Sequence, residues 1–181
     1  MKQKFRFSGT GGQGLITAGI ILAEAALLDG KLAVQSQSYG PEARGGSSKA
    51  EVIISDEPIR FGRVTHPDTL LVMSQEAADK FSGDCDGSSL IITDSLFVKE
   101  VRAQDARRVD LPITHTAREA CGKPLFANIV ALGAVVALTK CVTTESLERA
   151  VLDRVPKGTE EVNKKALAAG YALAASCKKA A

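Results

Sequence analysis

The sequence is poor in aromatic side chains, which make up 4% of its 181 residues, and it contains no tryptophan. Its hydrophobic fraction is nonetheless 45%, so Val, Ile, Leu and Ala must fill the core, as they do in layered α/β folds. This much apolar surface excludes a disordered chain. The length is typical of one domain, and we expect a single domain over residues 1–181.

An excess of one charge sign is also missing. Lys and Arg number 23 and Asp and Glu number 21, which gives a net charge of +2. That charge is too small to build the basic field of a nucleic-acid-binding protein. The sequence has neither an apolar run of about 18 residues or more nor the pattern of a signal peptide. We therefore expect a cytoplasmic chain with no nucleic-acid or membrane partner.

Metal-ligand and nucleophile patterns are absent from the sequence as well. It has four cysteines without a C-x-x-C pair or a neighbouring histidine, namely Cys85, Cys121, Cys141 and Cys177. Zinc and iron–sulfur sites need such spacings. His66 and His115 are near neither a second metal ligand nor a recognisable base–nucleophile pair, and no G-x-S-x-G elbow is present. We predict no metal site and no catalytic residue in this chain.

What the sequence does contain is a glycine-rich turn in a strand-to-helix setting. Residues 2–7 alternate as a strand does, and Gly9, Gly11 and Gly14 then match G-x-G-x-x-G before a helix with an apolar stripe from Leu15 to Ala26. Such a turn brings backbone N–H groups and a helix N-terminus to a phosphate. The glycines also allow close strand–helix packing, or contact with the backbone of a partner. All three interpretations remain open at this point.

The residues after the glycine-rich turn disfavour a dinucleotide site. NAD-binding folds carry an acidic residue about 20 positions after the glycines, at the end of the second strand. Here that region reads Val34-Gln35-Ser36-Gln37. The segment 39–46 also lies where the adenosine would rest.

The order of periodic segments predicts a three-layer α/β/α domain with a Rossmann-like start. Strands are predicted at 31–37, 48–54, 69–73, 90–93 and 108–111, with a helix at 75–81 and three apolar helical stripes from Asn128 onward. The connection between the strands at 31–37 and 48–54 is too short for a crossover helix, so these two strands should be antiparallel. We expect a mixed, mostly parallel sheet.

Two segments together, Gly9–Gly14 and Gln35–Gly46, resemble the gamma subunit family of 2-oxoacid:ferredoxin (acceptor) oxidoreductases. The likeness continues through four further segments and covers nearly the whole chain: 50–56, 64–68, 128–133 and 155–159. The sequence resembles the 2-oxoglutarate:ferredoxin oxidoreductase type in particular.

The resemblance implies a role inside a larger enzyme. Enzymes of this family convert a 2-oxoacid and coenzyme A (CoA) to an acyl-CoA, CO2 and reduced ferredoxin, with thiamine diphosphate supplying the carbanion chemistry. In such a complex, alpha and beta subunits hold thiamine diphosphate and Mg, and a beta or delta chain holds the iron–sulfur clusters. The resemblance implies that the gamma chain binds no cofactor itself, meets ferredoxin only through other subunits, packs on the catalytic subunits and helps to shape the CoA channel.

We predict ligand or partner contacts at the two glycine-rich segments and at one polar residue: Gly9, Gly11, Gly12, Gln13, Gly14, Tyr39, Gly40, Glu42, Arg44, Gly45, Gly46 and Asn128. The guanidinium of Arg44 can pair with a phosphate or carboxylate while Glu42 positions it, or the two can simply brace the loop. Tyr39 either anchors this loop or stacks on a partner. Asn128 either contacts a ligand or partner or caps the helix that follows it.

Two other functions remain open from the sequence. One is a stand-alone nucleotide- or CoA-binding module, for which tight ligand binding by the isolated chain would be the sign. The other is a small NAD-dependent reductase, which the missing ribose-binding carboxylate disfavours.

Overall fold

The computed structural model describes residues 1–38 and 46–179. This part of the chain contains six strands and six α-helices. The strands are β1 (Lys2–Thr10), β2 (Leu32–Ser38), β3 (Ser47–Ser55), β4 (Thr69–Val72), β5 (Leu90–Asp94) and β6 (Arg107–Leu111). The helices are α1 (Leu15–Leu28), α2 (Gln75–Phe81), α3 (Ile113–Cys121), α4 (Ala127–Thr139), α5 (Thr144–Arg154) and α6 (Glu160–Lys179).

The strands form one mixed sheet in the order β2-β3-β1-β4-β5-β6. β4, β5 and β6 continue from β1 in parallel, whereas β3 is antiparallel to both β1 and β2. The predicted antiparallel pair is therefore confirmed, and so is the mixed, mostly parallel sheet.

Helices cover the two faces of the sheet unequally. The large core lies between one face and the helices α1, α3, α4, α5 and α6, and it includes Phe5, Phe7, Val52, Leu71 and Ile92 from the strands. The opposite face packs Leu70, Val72 and Ile91 against α2 and the segment 98–106. The predicted three layers are present, with one thick helical layer and one thin layer.

Small residues let the first helix lie close to the sheet. A Cβ on Gly19 of α1 would come within 2.8 Å of the Cβ of Ala50 in β3. Real side chains do not approach that closely, so this glycine sets the distance between helix and sheet.

Two local features differ from the sequence-based expectation. β1 does not stop at Phe7 but continues to Thr10, so it reaches into the glycine-rich segment. Helix α3 was not predicted, because it buries only Ile113, Thr114 and Ala117 and shows no long apolar stripe. Among the described residues, no helix combines the length and apolar character needed to cross a bilayer.

Candidate functional site

The side chain of Gln13 fixes the glycine-rich turn at the carboxyl end of β1. Its Oε1 accepts a hydrogen bond from the backbone N–H of Thr10 at 2.8 Å. Its Nε2 donates to the carbonyl oxygen of Met73, just after β4, at 2.9 Å. Gln13 thus joins the ends of two neighbouring parallel strands.

These strand ends form the topological switch point of the sheet. The chain leaves β1 through α1 on the thick helical side, and it leaves β4 through α2 on the opposite face. In open α/β sheets, ligands bind in the crevice outside the carboxyl ends of two strands whose connections diverge in this way. The predicted contacts of the segment Gly9–Gly14 therefore lie at the expected ligand position of the fold.

The glycines of the turn have different structural roles. A Cβ on Gly9 would lie 2.1 Å from Oε1 of Gln13, and one on Gly14 would lie 2.5 Å from Nδ2 of Asn128. Gly12 and Gly14 have φ values of 91° and 74°, which side-chain-bearing residues rarely adopt. Gly11 has neither restriction, since the nearest atom to its Cβ position is the carbonyl oxygen of Gly46 at 3.8 Å. Packing and backbone conformation account for Gly9, Gly12 and Gly14, but not for Gly11.

The second glycine-rich segment ends at the same crevice. The backbone N–H of Gly11 donates to the carbonyl oxygen of Gly46 at 3.2 Å, and the N–H of Ser47 donates to Oε1 of Glu76 in α2 at 3.2 Å. The hydroxyl of Ser47 is buried without a hydrogen-bond partner in the described structure. The other predicted contacts of this segment lie outside the described residues: Tyr39, Gly40, Glu42, Arg44 and Gly45.

Asn128 belongs to this site and does not occupy the N-cap position of its helix. α4 begins at Ala127, and Phe126 occupies the N-cap position without a side-chain hydrogen bond. The predicted N-cap position is therefore wrong, because the turn at 124–126 starts the helix earlier. The Oδ1 of Asn128 nonetheless accepts a hydrogen bond from the N–H of Ile129, in the first turn of α4, at 2.9 Å. In addition, Nδ2 of Asn128 donates to the carbonyl oxygen of Gly14 at 3.3 Å. This contact connects a third segment of the chain to the glycine-rich turn.

The sheet topology differs from that of a dinucleotide-binding fold. In the latter, the second strand lies beside the first and parallel to it, and its end carries the ribose-binding carboxylate. Here the antiparallel strand β3 occupies that place, and β2 lies beyond it at the edge. The geometry thus adds to the sequence argument against an NAD site.

A buried ion-pair network lies on the thin side of the sheet and was missed by sequence reasoning. Arg6 of β1 is 2% exposed, and its Nε donates to Oε1 of Glu51 in β3 at 2.9 Å. Its Nη1 donates to Asp84, and Nζ of Lys49 lies 3.0 Å from the same Glu51 oxygen. The alternation of Lys4 and Arg6 with the apolar Phe5 and Phe7 could have indicated this network in the sequence, because it places the two cations together on one face of the strand.

This network lies beneath an open cavity of about 690 Å³. The cavity is lined by β2, β3 and the segment 62–66, and its polar side chains include Ser36, Ser38, Lys49 and Arg63. Buried charges cost free energy unless they are paired, and here each buried charge has a partner. The half of the sheet formed by β2, β3 and β1 thus presents a polar surface on its thin side.

The four cysteines carry free thiols. Burial raises the pKa of Cys85 to about 11, and burial likewise raises the pKa of Cys121 and Cys141. A protonated thiol is a poor nucleophile and a poor metal ligand. Within 1–38 and 46–179, no group of three His, Cys, Asp or Glu side chains is arranged to hold a metal ion.

Comparisons with known proteins agree with this architecture. The family model described as "Pyruvate ferredoxin/flavodoxin oxidoreductase" matches residues 4–173. The 2-oxoglutarate synthase subunit KorC of Methanocaldococcus jannaschii is 50% identical over 177 residues, which cover 96% of this chain and 95% of that protein. The KorC subunit of Methanothermobacter thermautotrophicus is 43% identical over 180 residues, with 96% and 95% of the two chains covered.

Solved structures give the same result. The gamma subunit of a keto/oxoacid ferredoxin oxidoreductase from Geobacter sulfurreducens is 49% identical, with a TM-score of 0.86 over 96% of this chain and 99% of that one. A 2-oxoglutarate:ferredoxin oxidoreductase from Magnetococcus marinus shares the fold, with a TM-score of 0.88 at 23% identity over 97% of this chain and 31% of that one. The resemblance seen in the sequence is confirmed: the chain belongs to the pyruvate ferredoxin/flavodoxin oxidoreductase family, as a gamma subunit of the 2-oxoacid:ferredoxin oxidoreductases.

Proposed function

We propose that this chain is the gamma subunit of a thiamine-diphosphate-dependent 2-oxoglutarate:ferredoxin oxidoreductase and forms part of its CoA channel. The complete enzyme would convert 2-oxoglutarate and CoA to succinyl-CoA and CO2 while it reduces ferredoxin. The alpha and beta subunits would hold thiamine diphosphate and Mg, and a beta or delta chain would hold the iron–sulfur clusters. We expect the complex to work in the cytoplasm, where free thiols stay reduced.

The convergence of three separate segments at the switch point is the observation that carries the CoA part of the proposal. The glycine-rich turn, the start of β3 and Asn128 meet there through direct hydrogen bonds. The amino end of α1 has no acidic side chain in its first turn and no side-chain cap. The partial positive charge of a helix N-terminus favours anions such as phosphate. CoA carries three phosphate groups, so its nucleotide end matches such an environment.

The packing role is supported by the way this domain occurs in relatives. The ketoisovalerate oxidoreductase subunit VorA of Methanothermobacter marburgensis is matched over 135 residues, which are 75% of this chain but only 28% of that protein. A domain that is covalently joined to others in one protein is expected to contact the equivalent chains when it is separate. The exposed apolar side chains of Phe61 and Leu125 are suited to such contacts, since obligate interfaces are apolar.

The first test is reconstitution with the other subunits of the enzyme. We expect this chain to co-purify with them, and the complex to reduce ferredoxin only when 2-oxoglutarate and CoA are both present. Isothermal titration of the isolated chain with CoA should show weak binding or none. Tight binding by the isolated chain, without co-purification, would instead support a stand-alone CoA-binding module.

Arg44→Ala tests the CoA contact within the reconstituted complex. A charge-assisted hydrogen bond contributes about 1.5–3 kcal/mol, so we expect the KM for CoA to rise roughly tenfold or more. Assembly and the KM for 2-oxoglutarate should not change. Arg149→Ala is the control, because Arg149 is a surface residue whose one ion pair with a described residue is to Asp153 at 3.9 Å. An unchanged KM for CoA in Arg44→Ala would exclude Arg44 as a CoA contact.

A further inference from the structure

The edge strand β2 lacks charge and proline, two of the usual protections against pairing with another strand, and no described strand pairs with its outer edge. Its sequence, Leu32 to Ser38, contains no charged residue and no proline. Natural sheets usually protect an exposed edge with charges, proline or bulges. The opposite edge of this sheet follows that rule, because β6 carries Arg107, Arg108 and Asp110. The two edges of one sheet therefore differ in composition, and β2 is the one whose own residues permit pairing with a further strand.

The strand pairing defines which backbone groups of β2 point outward. The N–H of Asp56 donates to the carbonyl oxygen of Met1, and that of Gly11 donates to Gly46. Even-numbered residues of β3 therefore bond to β1, and odd-numbered ones face β2. Since Val34 is opposite Ile53 and Ser36 is opposite Glu51, the even-numbered residues of β2 bond to β3. The backbone groups of the alternate residues face away from the sheet: Ala33, Gln35 and Gln37.

The thin side of the sheet beside this edge has two chemically distinct parts. Near the carboxyl end of β2, Ser36 and Ser38 line the polar cavity together with Arg63. Arg63 forms no ion pair with a described residue, whereas Lys49 is paired with Glu51. Towards the amino end of β2, Leu32 is 44% exposed. Phe61, which is 79% exposed, directly precedes Gly62, whose Cβ position lies 3.1 Å from Cγ1 of Val34 in β2. The cavity is therefore suited to an acidic side chain, and the amino end of the strand to an apolar one.

We propose that the outer edge of β2 receives an extended segment of a catalytic partner subunit as a seventh strand of the sheet. The backbone of this segment bonds to Ala33, Gln35 and Gln37. An acidic side chain of the segment enters the cavity and pairs with Arg63, and an apolar side chain covers Leu32 and Phe61. The inference rests on the proposed assembly with other subunits and adds the place and chemistry of one contact.

Amide hydrogen exchange tests the backbone part of the proposal on the isolated chain and on the reconstituted complex. In the isolated chain, the amides of Ala33, Gln35 and Gln37 should exchange rapidly, because no described strand pairs with them. In the complex they should exchange at least tenfold more slowly. The same fast exchange in both samples would overturn the proposal. Slow exchange in the isolated chain with concentration-dependent dimerisation would also overturn it, since a second copy would then be the occupant.

Substitutions on β2 test the same contact by affinity. Gln35→Pro removes an outward N–H without breaking the pairing with β3, and proline is tolerated at such edge positions. We expect it to raise the Kd for the catalytic subunits at least tenfold, while the thermal unfolding of the isolated chain changes little. Gln35→Ala retains the N–H and should bind like the unmodified chain. Equal binding by the proline and alanine variants, in chains that melt alike, would contradict strand addition.

Arg63→Glu tests the charge part independently of the backbone. We expect several-fold weaker binding and a reversed dependence on salt concentration, because an attractive charge pair becomes repulsive. Unchanged affinity and salt dependence would exclude an acidic side chain in the cavity. If neither the unmodified chain nor any variant co-purifies with catalytic subunits, the proposed function is wrong. If the chain co-purifies but its β2 amides stay unprotected, only this inference fails.

Discussion

The side-chain amide of Asn128 occupies the space that a Cβ on Gly14 would need. Its Nδ2 donates to the carbonyl oxygen of Gly14 at 3.3 Å, between residues 114 positions apart in the sequence. Position 14 requires glycine for a second reason, its φ of 74°. The start of α4 is thereby attached to the start of α1 at Gly14, the last glycine of the glycine-rich turn.

Asn128→Ala removes two hydrogen bonds, the one that Nδ2 donates to Gly14 and the one that Oδ1 accepts from the N–H of Ile129. It should lower the free energy of unfolding by about 1–2 kcal/mol, since one such bond contributes about 1 kcal/mol. The carbonyl oxygen of Gly14 keeps its bond from the N–H of Ala18 at 3.0 Å, so the loss should stay modest. Urea unfolding of the isolated chain measures it. Ser176→Ala, at an exposed helical position, is the control and should change stability by less than about 0.5 kcal/mol. Equal stability of both variants would show that the contact adds nothing to folding.

Gly170→Ala should be among the most destabilising single substitutions in the chain. α6 crosses α4 so closely that a Cβ on Gly170 would lie 2.1 Å from the carbonyl oxygen of Val130 and 2.9 Å from the N of Ala134. Both are backbone atoms and cannot rotate away. Alanine has a higher helix propensity than glycine by about 1 kcal/mol, but we expect overpacking to exceed this gain and to cost about 2 kcal/mol or more net.

Gly87→Ala is the matched control for this close crossing. The nearest atom to its Cβ position is Oδ2 of Asp105, at 3.4 Å, an ordinary contact with a flexible side chain. We expect its unfolding free energy to stay within about 0.5 kcal/mol of the original. If Gly170→Ala were as stable as Gly87→Ala, the two helices would have to separate without loss, which close packing does not allow.

The sequence predicted those parts of the fold that depend on local patterns. The short connection after β2 was sufficient to predict its antiparallel pairing with β3, and the glycines marked the turn after β1. Helix α3 was not predicted from the sequence, because a distant residue stabilises its first turn. Asp94 of β5 accepts hydrogen bonds from both the N–H and the hydroxyl of Thr114. Such support has no local signature.

In the candidate site, too, features that depend on local patterns could be predicted, and features that depend on long-range contacts could not. The glycine-rich turn could be predicted, since its spacing is a local pattern. The pairing of Arg6 with Glu51 could not, because it depends on the register between β1 and β3, which places Arg6 directly opposite Glu51. Asn128 was identified as a candidate, but its bond to Gly14 requires the packing of α4 against α1. Long-range pairings of this kind appear only once the elements are assembled.

Alkaline pH should destabilise the fold through Cys85. Burial raises the pKa of its thiol from 9.0 to about 11. The unfolded chain therefore loses this proton near pH 9 while the folded chain keeps it, so stability is complete below pH 9 and falls towards pH 11. Tyr171, whose pKa burial raises to about 12, acts in the same direction at higher pH.

Urea unfolding in the presence of reductant, from below pH 9 up to pH 11, measures this effect. In Cys85→Ala, the unfolding free energy should fall less steeply with pH over this interval, because one linked proton is removed. The comparison uses the slopes, since the alanine variant also loses packing contacts. Parallel slopes for the two proteins would mean that the Cys85 thiol ionises equally in the folded and unfolded chains.

Gly11→Ala and Gly9→Ala separate the packing role of the glycine-rich turn from its proposed role towards CoA. A methyl group on Gly9 would collide with Gln13, which is held by hydrogen bonds at both ends of its amide. We expect this variant to lose about 1–3 kcal/mol of stability. Gly11 has space for a methyl group and no strained φ, so Gly11→Ala should unfold within about 0.5 kcal/mol of the original chain.

The reconstituted enzyme then distinguishes the two roles of the turn. If CoA approaches the backbone at Gly11, the added methyl group should raise the KM for CoA in Gly11→Ala while the KM for 2-oxoglutarate stays constant. If the turn serves only packing, Gly11→Ala should have normal kinetics, because no described residue of the chain lies too close to the new methyl group. Normal CoA kinetics in a stable, fully assembled Gly11→Ala enzyme would contradict a contact between CoA and the turn. Packing of the strand and the helix would then be the one remaining role of the turn, because Gly11 is the glycine whose presence packing does not explain.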